Sequence, residues 1–300
     1  MTTKGEGSFV RGLGLIDATN IVAGAMIGSG IFVVSQDIAQ GVGSPGWMLV
    51  VWAVTGVMTL MVSLSYGELA AMYPQAGGQY VYLREAYSPV WGFLYGWTLF
   101  MVIQSASIAA VGLVFARYLG VLAPGISTSA WLVRLGDVTI GSKTLPIGLN
   151  TAQAVGIVVI ALLTANNCIN LKAGKWVQNV FTFAKVISLV ALIGVGLLYG
   201  RADSAVHEEW FVRRTGEGWG TLPLFAAFWT VMVGSMFASD AWNNVTFVAG
   251  EVRNPRRNIP LSLVFGAGGV VLLYFLVNVG YANLLPFHEI ANAPEQRVAA

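Results

Sequence analysis

Apolar residues fall in seven long runs, each bounded by charges or turn-forming residues, over 12–40, 46–72, 89–116, 145–164, 174–199, 222–250 and 259–284. Each run reaches the roughly 20 residues that an α-helix needs to cross the hydrocarbon core of a bilayer. The runs are continuous and lack the inside/outside alternation, about ten residues at a time, of a membrane barrel strand. The pattern predicts an all-α polytopic membrane protein with seven transmembrane helices. Between them it predicts a polar N-terminus over 1–11, a linker over 73–88 with room for a short interfacial helix, polar loops over 120–144 and 201–221, and an outer loop over 285–300.

Composition sharpens this picture. Of 300 residues 56% are hydrophobic and 10% charged, against about 25% charged in an ordinary soluble domain, too few to clothe a water-facing surface. The net charge of +2 gives no footing for nucleic acid. With one cysteine, Cys168, and two histidines, His207 and His288, the chain has no disulfide framework and no Cys/His metal site, and no cofactor is expected. A membrane-embedded enzyme would need paired acids, a Ser/His arrangement or a metal motif at membrane depth, and no histidine lies in the seven runs. Basic residues orient the chain. With the N-terminus inside, Lys4, Arg11, Arg84, Lys172, Lys175, Arg253, Arg256 and Arg257 are inner, and Arg117, Arg134, Lys143, Arg201, Arg213, Arg214 and Arg297 fall in longer, more dilute outer loops. A cytoplasmic N-terminus is expected.

Two runs carry residues foreign to an ordinary membrane helix. Midway along the first lie Gly24-Ala25-Met26-Ile27-Gly28-Ser29-Gly30-Ile31-Phe32. Each glycine costs about 1 kcal/mol relative to alanine inside a helix, so the cluster favours local unwinding, tolerated at membrane depth only where the backbone is buried in protein or lines a cavity. A restarting half-helix would aim its free N–H groups at an anion such as a carboxylate. The competing reading is a packing face built on Gly24 and Gly28. The sixth run contains Phe237-Ala238-Ser239-Asp240-Ala241-Trp242-Asn243-Asn244. An intramembrane acid such as Asp240 costs about 2.5 to 3.5 kcal/mol on insertion scales and is functional by default, here by facing a cavity or a partner; the competing reading places it near the inner end of the run, where it reaches water. Carbonyls freed there would suit an ammonium group or a cation. Lys185 is the one charge deep in the fifth run, roughly 16 Å from its inner end at 1.5 Å per residue, which predicts an ion pair or a bond to unwound carbonyls. Glu68, Gln104, Ser105 and Ser107 are weaker candidates, read as interfacial or as packing residues, and the arginines at 253, 256 and 257 read first as a membrane anchor and second as a lipid-headgroup contact.

On four stretches the sequence resembles the amino acid, polyamine and organocation superfamily, and within it the L-type amino-acid transporters and their bacterial relatives: GAMIGSGIF at 24–32, GELAAMYPQAGGQYVYLREAYSPVWGFLYGW at 67–97, QNVFTFAK at 178–185 and FASDAWNNVTFVAGEVRNPRRNIP at 237–260. The resemblance covers nearly the whole chain. It implies a five-plus-five inverted-repeat fold with the first and sixth helices broken, 12–199 forming the first repeat and 222–284 the start of the second, and sodium-independent exchange or proton-coupled import of amino acids across the plasma membrane by alternating access. A cationic amino-acid or polyamine carrier, or an amino-acid sensor that transports nothing, is the alternative. The resemblance further implies that N–H groups around Gly28, Ser29 and Gly30 hold the substrate carboxylate and that carbonyls of Met26, Phe237 and Asp240 hold its ammonium group. Ala238 and Ser239 complete the site, Phe237 closes over the substrate, and Lys185 takes the place of a sodium ion. Ser239 and Ala241 stand where relatives usually carry an aromatic residue and a glycine, which leaves more room beside the site but a stiffer break. Relatives continue past a seventh helix, so a longer parent chain is expected. Animal members join a glycoprotein through an outer cysteine, and the outer loops here hold none, so no disulfide-linked subunit is expected. The partners expected are an amino-acid substrate and the lipid bilayer.

Overall fold

The computed structural model describes residues 11–140, 143–169, 171–200, 203–216, 219–293 and 298, without the side chains of 140, 143–145, 167, 169, 171–179 and 181–182. Most of the predicted N-terminal stretch, Lys4 included, lies outside them, as do Arg201 and Arg297. The chain forms two compact units, one from Met1–Trp97 with Ala184–Val298 and one centred on Thr98–Phe183.

The first unit is built on two membrane-length helices, α3 (Pro45–Met72) and α11 (Pro255–Leu284), packed along each other. Ser44 and Pro45 start α3, the Ser44 hydroxyl accepting the Trp47 N–H at 3.4 Å. Near its start it buries Met48, Leu49, Val51 and Trp52, and from Thr55 onward it buries small and hydroxylated residues, Thr55, Thr59, Ser63, Gly67 and Ala70, while Val57, Met61 and Leu64 are exposed. In that later stretch, large apolar residues outside and small ones inside invert the soluble pattern and suit a helix whose solvent is lipid, where close backbone packing drives association. Gly56 lies against the Val271 side chain and Gly67 against Pro260. Helix α11 buries Ile259, Leu263, Gly266, Val270, Tyr274, Val277 and Tyr281 at steps of three and four, and Gly266 admits Val22 of α1 (Leu15–Met26).

Helix α1 ends at Met26; a short 3₁₀ turn, Gly30–Phe32, leads into α2 (Val34–Val42). Helix α9 (Leu224–Ala238) likewise stops before a one-turn helix α10 (Asn244–Phe247). The two ends of this first unit are pinned by hydrogen bonds to backbone carbonyls. At one, Leu13 bridges Val252 in parallel, its N–H on the Glu251 carbonyl at 3.0 Å and its carbonyl accepting the Arg253 N–H at 2.8 Å. At the other, the Arg213 guanidinium donates to the carbonyls of Gly41 (3.0 Å) and Val42 (3.2 Å), capping the negative end of α2.

The linker expected to hold an interfacial helix contains α4 (Gln79–Ala86). The third run is one helical rod from α5 (Pro89–Thr98) through a wider π turn at Leu99–Gln104 into α6 (Ser105–Leu122), so it ends six residues later than predicted. In the second unit, α6 packs on α7 (Thr151–Ile169) through Gly112 and Gly156, where added Cβ atoms would meet Ile160 at 2.9 Å and the Gly112 backbone at 3.1 Å.

The structure corrects the reading of 120–164. Strands β1 (Trp131–Ile140) and β2 (Lys143–Asn150) form an antiparallel hairpin where a polar loop was expected, and residues 145–150 are strand instead of the opening of a helix. Pro146 and Gly148 disfavour the helix that their apolar neighbours implied, and Asn150 and Thr151 start α7, the Asn150 side-chain carbonyl accepting the Gln153 N–H at 2.8 Å. Helix α8 (Leu171–Leu198) completes the rods, and α12 (Phe287–Ala291) follows α11. Among the described residues, Pro45–Met72, Pro89–Leu122 and Pro255–Leu284 are long and apolar enough to cross a membrane, and four shorter apolar helices occupy Leu15–Met26, Thr151–Asn166, Phe183–Leu198 and Leu224–Ala238.

Candidate functional site

The two helix interruptions meet. A Cβ placed on Gly30 would lie 2.8 Å from the Ala238 Cβ and 2.9 Å from its Cα, so only glycine lets the turn after α1 rest on the end of α9. Gly234 in the same way accommodates Val34 at the start of α2. Of the glycines in this cluster, Gly30 is thus a close-approach residue, while a Cβ on Gly28, one of the two residues of the alternative packing face, would meet only the Met26 carbonyl at 3.8 Å.

Ending α1 at Met26 deprives its last carbonyls of helical partners, and the surrounding helices supply them. The Lys185 ammonium donates to the Ile27 carbonyl at 2.5 Å and reaches the Gly24 carbonyl at 3.5 Å. The Tyr274 hydroxyl donates to the Met26 carbonyl at 2.8 Å. Lys185 therefore bonds to unwound carbonyls, one of the two arrangements its depth predicted. Tyr274 was absent from the sequence reading: a tyrosine in an apolar run carries no signal of its own, and only the crossing of α11 over α1 aims its hydroxyl at Met26. Asn278, one turn further, accepts the Ser35 hydroxyl at 2.7 Å from the start of α2, and the Thr55 and Ser235 hydroxyls pair at 2.7 Å between α3 and α9. The bonds of Tyr274 and Asn278 hold both halves of the first interruption against α11.

The amides behave differently. Ile27 N–H still bonds back to Ala23, and the Ser29 and Gly30 carbonyls accept from Phe32 and Val33 at 3.1 and 3.0 Å. Among the described residues, the N–H groups of Ser29 and Gly30 donate to no carbonyl. In the second interruption Ser239 N–H bonds to Ser235 and Asp240 N–H to the Phe237 carbonyl at 3.3 Å, while the carbonyls of Ala238, Ser239 and Asp240 receive no donor among the described residues. Two of the three carbonyls expected to hold an ammonium group, Met26 and Phe237, thus already accept one hydrogen bond, leaving each a second lone pair.

Ala241 adopts φ 69°, the left-handed region that glycine occupies without penalty. The chain makes that turn with alanine, and the Asn244 N–H closes it on the Ala241 carbonyl at 3.2 Å. Beside the turn a cavity of about 320 Å³ is lined by Thr59, Phe237, Ser239, Asp240 and Trp242. Ser239 and Ala238 are buried, Phe237 and Asp240 exposed, and Asp240 makes no salt bridge among the described residues. Trp242 is held edge-on by Tyr66 at 4.9 Å between ring centres. Among the described residues no group of His, Cys, Asp and Glu is arranged to hold a metal.

The profile of a family described as amino acid permease matches residues 13–299. Over 284 residues the chain is 31% identical to the b(0,+)-type amino acid transporter 1 of Homo sapiens, a match that covers 94% of this chain and 53% of that protein. It is 27% identical over 283 residues to the serine/threonine exchanger SteT of Bacillus subtilis, covering 94% of this chain and 57% of SteT, and 29% identical to the human cystine/glutamate transporter, covering 93% and 51%. The chain spans about half the length of the curated relatives it matches. Since the profile takes in both interruptions, Lys185 and nearly every described residue, the chain belongs to the amino acid permease family.

Proposed function

We propose that this protein carries amino acids across the plasma membrane by alternating access, without sodium, and that the interruptions at 27–33 and 239–243 form the substrate site. The observation that carries this reading is their complementarity. Among the described residues the N–H groups of Ser29 and Gly30 donate to no carbonyl and suit a carboxylate, and the carbonyls of Ala238, Ser239 and Asp240, which accept no hydrogen bond there, lie across the Gly30–Ala238 contact and suit an ammonium group. An α-amino acid presents those two charges one carbon apart. Met26 and Gly28 complete the first side, and Phe237, exposed at the rim, closes over the bound molecule. Lys185 supplies a fixed positive charge at the end of α1, which supports sodium independence.

In this reading 12–199 holds helices 1 to 5 of a first repeat and 222–284 holds helices 6 and 7 of a second, with a cytoplasmic N-terminus. The relatives bear names of transporters and exchangers, which supports transport over catalysis. The only cysteine, Cys168, ends α7, which supports a protein without a disulfide-linked subunit. One observation favours a second reading: the Asp240 carboxylate faces the cavity unpaired by any described cation, as a carrier of cationic amino acids or polyamines would require.

Counterflow of labelled alanine into proteoliposomes preloaded with unlabelled neutral amino acids tests the proposal, with the 300-residue chain and the product of its whole gene measured side by side. Counterflow by the gene product supports neutral amino-acid exchange. Counterflow of labelled arginine alone selects the second reading. Binding of either without flux overturns transport in favour of a sensor.

A further inference from the structure

At the end of the first unit where α3 finishes and α11 begins, a cavity of about 410 Å³ is lined by Arg11, Pro74, Asn254, Pro255, Arg256 and Arg257. It is assembled by the fold. The parallel bridge between Leu13 and Val252 brings Arg11 from one end of the sequence to the start of α11, and the Arg253 guanidinium fixes the approach by donating to the Arg11 carbonyl at 3.3 Å. Three guanidinium groups therefore surround one space. Among the described residues none of them, nor Arg253, has a carboxylate within ion-pair distance.

The backbone adds to the imbalance. Asn254 sits in a left-handed conformation with φ 47° and supplies no side-chain cap, and the first turn of α11 holds no acidic residue. The start of α1 is the internal control: there Asp17 accepts the Gly14 N–H at 2.9 Å and places a negative charge in the first turn. Helix starts ordinarily recruit such a charge, and at α11 the chain provides three positive ones in its place. The level of the cavity in the bilayer is set by its neighbours, because both α3 and α11 are long and apolar enough to cross a membrane and both terminate at it. An anion entering from the headgroup layer would meet guanidinium forks whose planar donors match phosphate oxygens in pairs.

We infer that the Arg11–Arg256–Arg257 cavity binds a phosphate group, supplied either by the headgroup of an anionic phospholipid or by free phosphate. The inference stands apart from the transport reading, because it is read by binding alone.

The test is native mass spectrometry of the purified chain in neutral-detergent micelles doped with equal amounts of phosphatidylglycerol and phosphatidylcholine, repeated with inorganic phosphate added at constant ionic strength. Wild type is expected to retain one phosphatidylglycerol in preference to phosphatidylcholine. Arg11→Gln/Arg256→Gln/Arg257→Gln should weaken that retention about a hundredfold, and Arg257→Gln alone, a milder change should the triple variant fold poorly, by several-fold. A charge control, Arg84→Gln/Arg134→Gln, should keep it. Displacement of the lipid by inorganic phosphate assigns free phosphate as an equal occupant, and persistence of the lipid assigns the headgroup. Equal retention of the two lipids by wild type with no phosphate adduct, or undiminished binding by the triple and single variants, overturns the inference.

Discussion

The interruption after α1 and the one after α9 break the same rule of membrane helices and resolve the break in opposite ways. After α1, the carbonyls of Gly24, Met26 and Ile27 are taken up by Lys185 and Tyr274, and among the described residues the N–H groups of Ser29 and Gly30 find no carbonyl. After α9, the amides of Ser239 and Asp240 are bonded locally and what stays open is carbonyl. The first is tied to neighbouring helices; the second closes on itself through local backbone bonds and turns through Ala241 in a left-handed conformation. In the proposed site, one break of each kind supplies a donor side and an acceptor side.

Removing Lys185 should break this division most completely. Lys185→Ala frees the Ile27 carbonyl at membrane depth, and counterflow by the whole gene product should fall to background while insertion, followed by protease protection, is intact; wild-type flux would remove Lys185 from the mechanism. Closing the contact between the two breaks comes next. In Gly30→Ala the new methyl would sit 2.8 Å from the Ala238 Cβ, an overpacking that costs about 1 to 3 kcal/mol. Ala238→Gly in the same chain should recover part of that loss in melting temperature, and a strictly additive pair would mean the two breaks do not meet.

Tyr274→Phe is expected to be milder. It deletes one bond to the Met26 carbonyl without changing shape, about 1 kcal/mol on the ordinary scale of a hydrogen bond, and should show as a lower melting temperature with a raised half-saturation for substrate. The smallest effect sharpens the other side of the comparison. Ala241→Gly relieves a residue held at φ 69°, and thermal unfolding should report a gain of about 1 kcal/mol; a loss would mean that the turn owes its shape to the alanine methyl.

Much of this was legible in the residues. The apolar runs recur as apolar helices, three of them among the described residues long enough to cross a membrane, because a helix that must satisfy its backbone in lipid leaves a long, unbroken hydrophobic signature. Glycines at 24, 28 and 30 and the acid at 240 marked both interruptions, because each carries a local cost that an uninterrupted helix has no reason to bear. The 131–150 hairpin was missed since its strands carry apolar residues, Leu145 and Ile147 among them, that extend the next run without a visible boundary. Tyr274, Asn278 and Thr55 were passed over because their hydroxyl and amide groups acquire a role only from the residue opposite.

The sequence by itself determined an apolar helical chain and pointed to the glycine cluster, the acid and the lysine near which α1 and α9 stop, because each of those residues carries a local cost in an apolar run. Tertiary structure alone decided that Gly30 rests on Ala238, that Tyr274 and Lys185 take the carbonyls of Met26 and Ile27, and that Arg11 joins Arg256 and Arg257. Those pairings join residues up to some 250 positions apart in the chain. They depend on which faces of nearly uniform apolar helices pack together, a choice made by small residues at the contacts and invisible to any pattern along one strand of sequence.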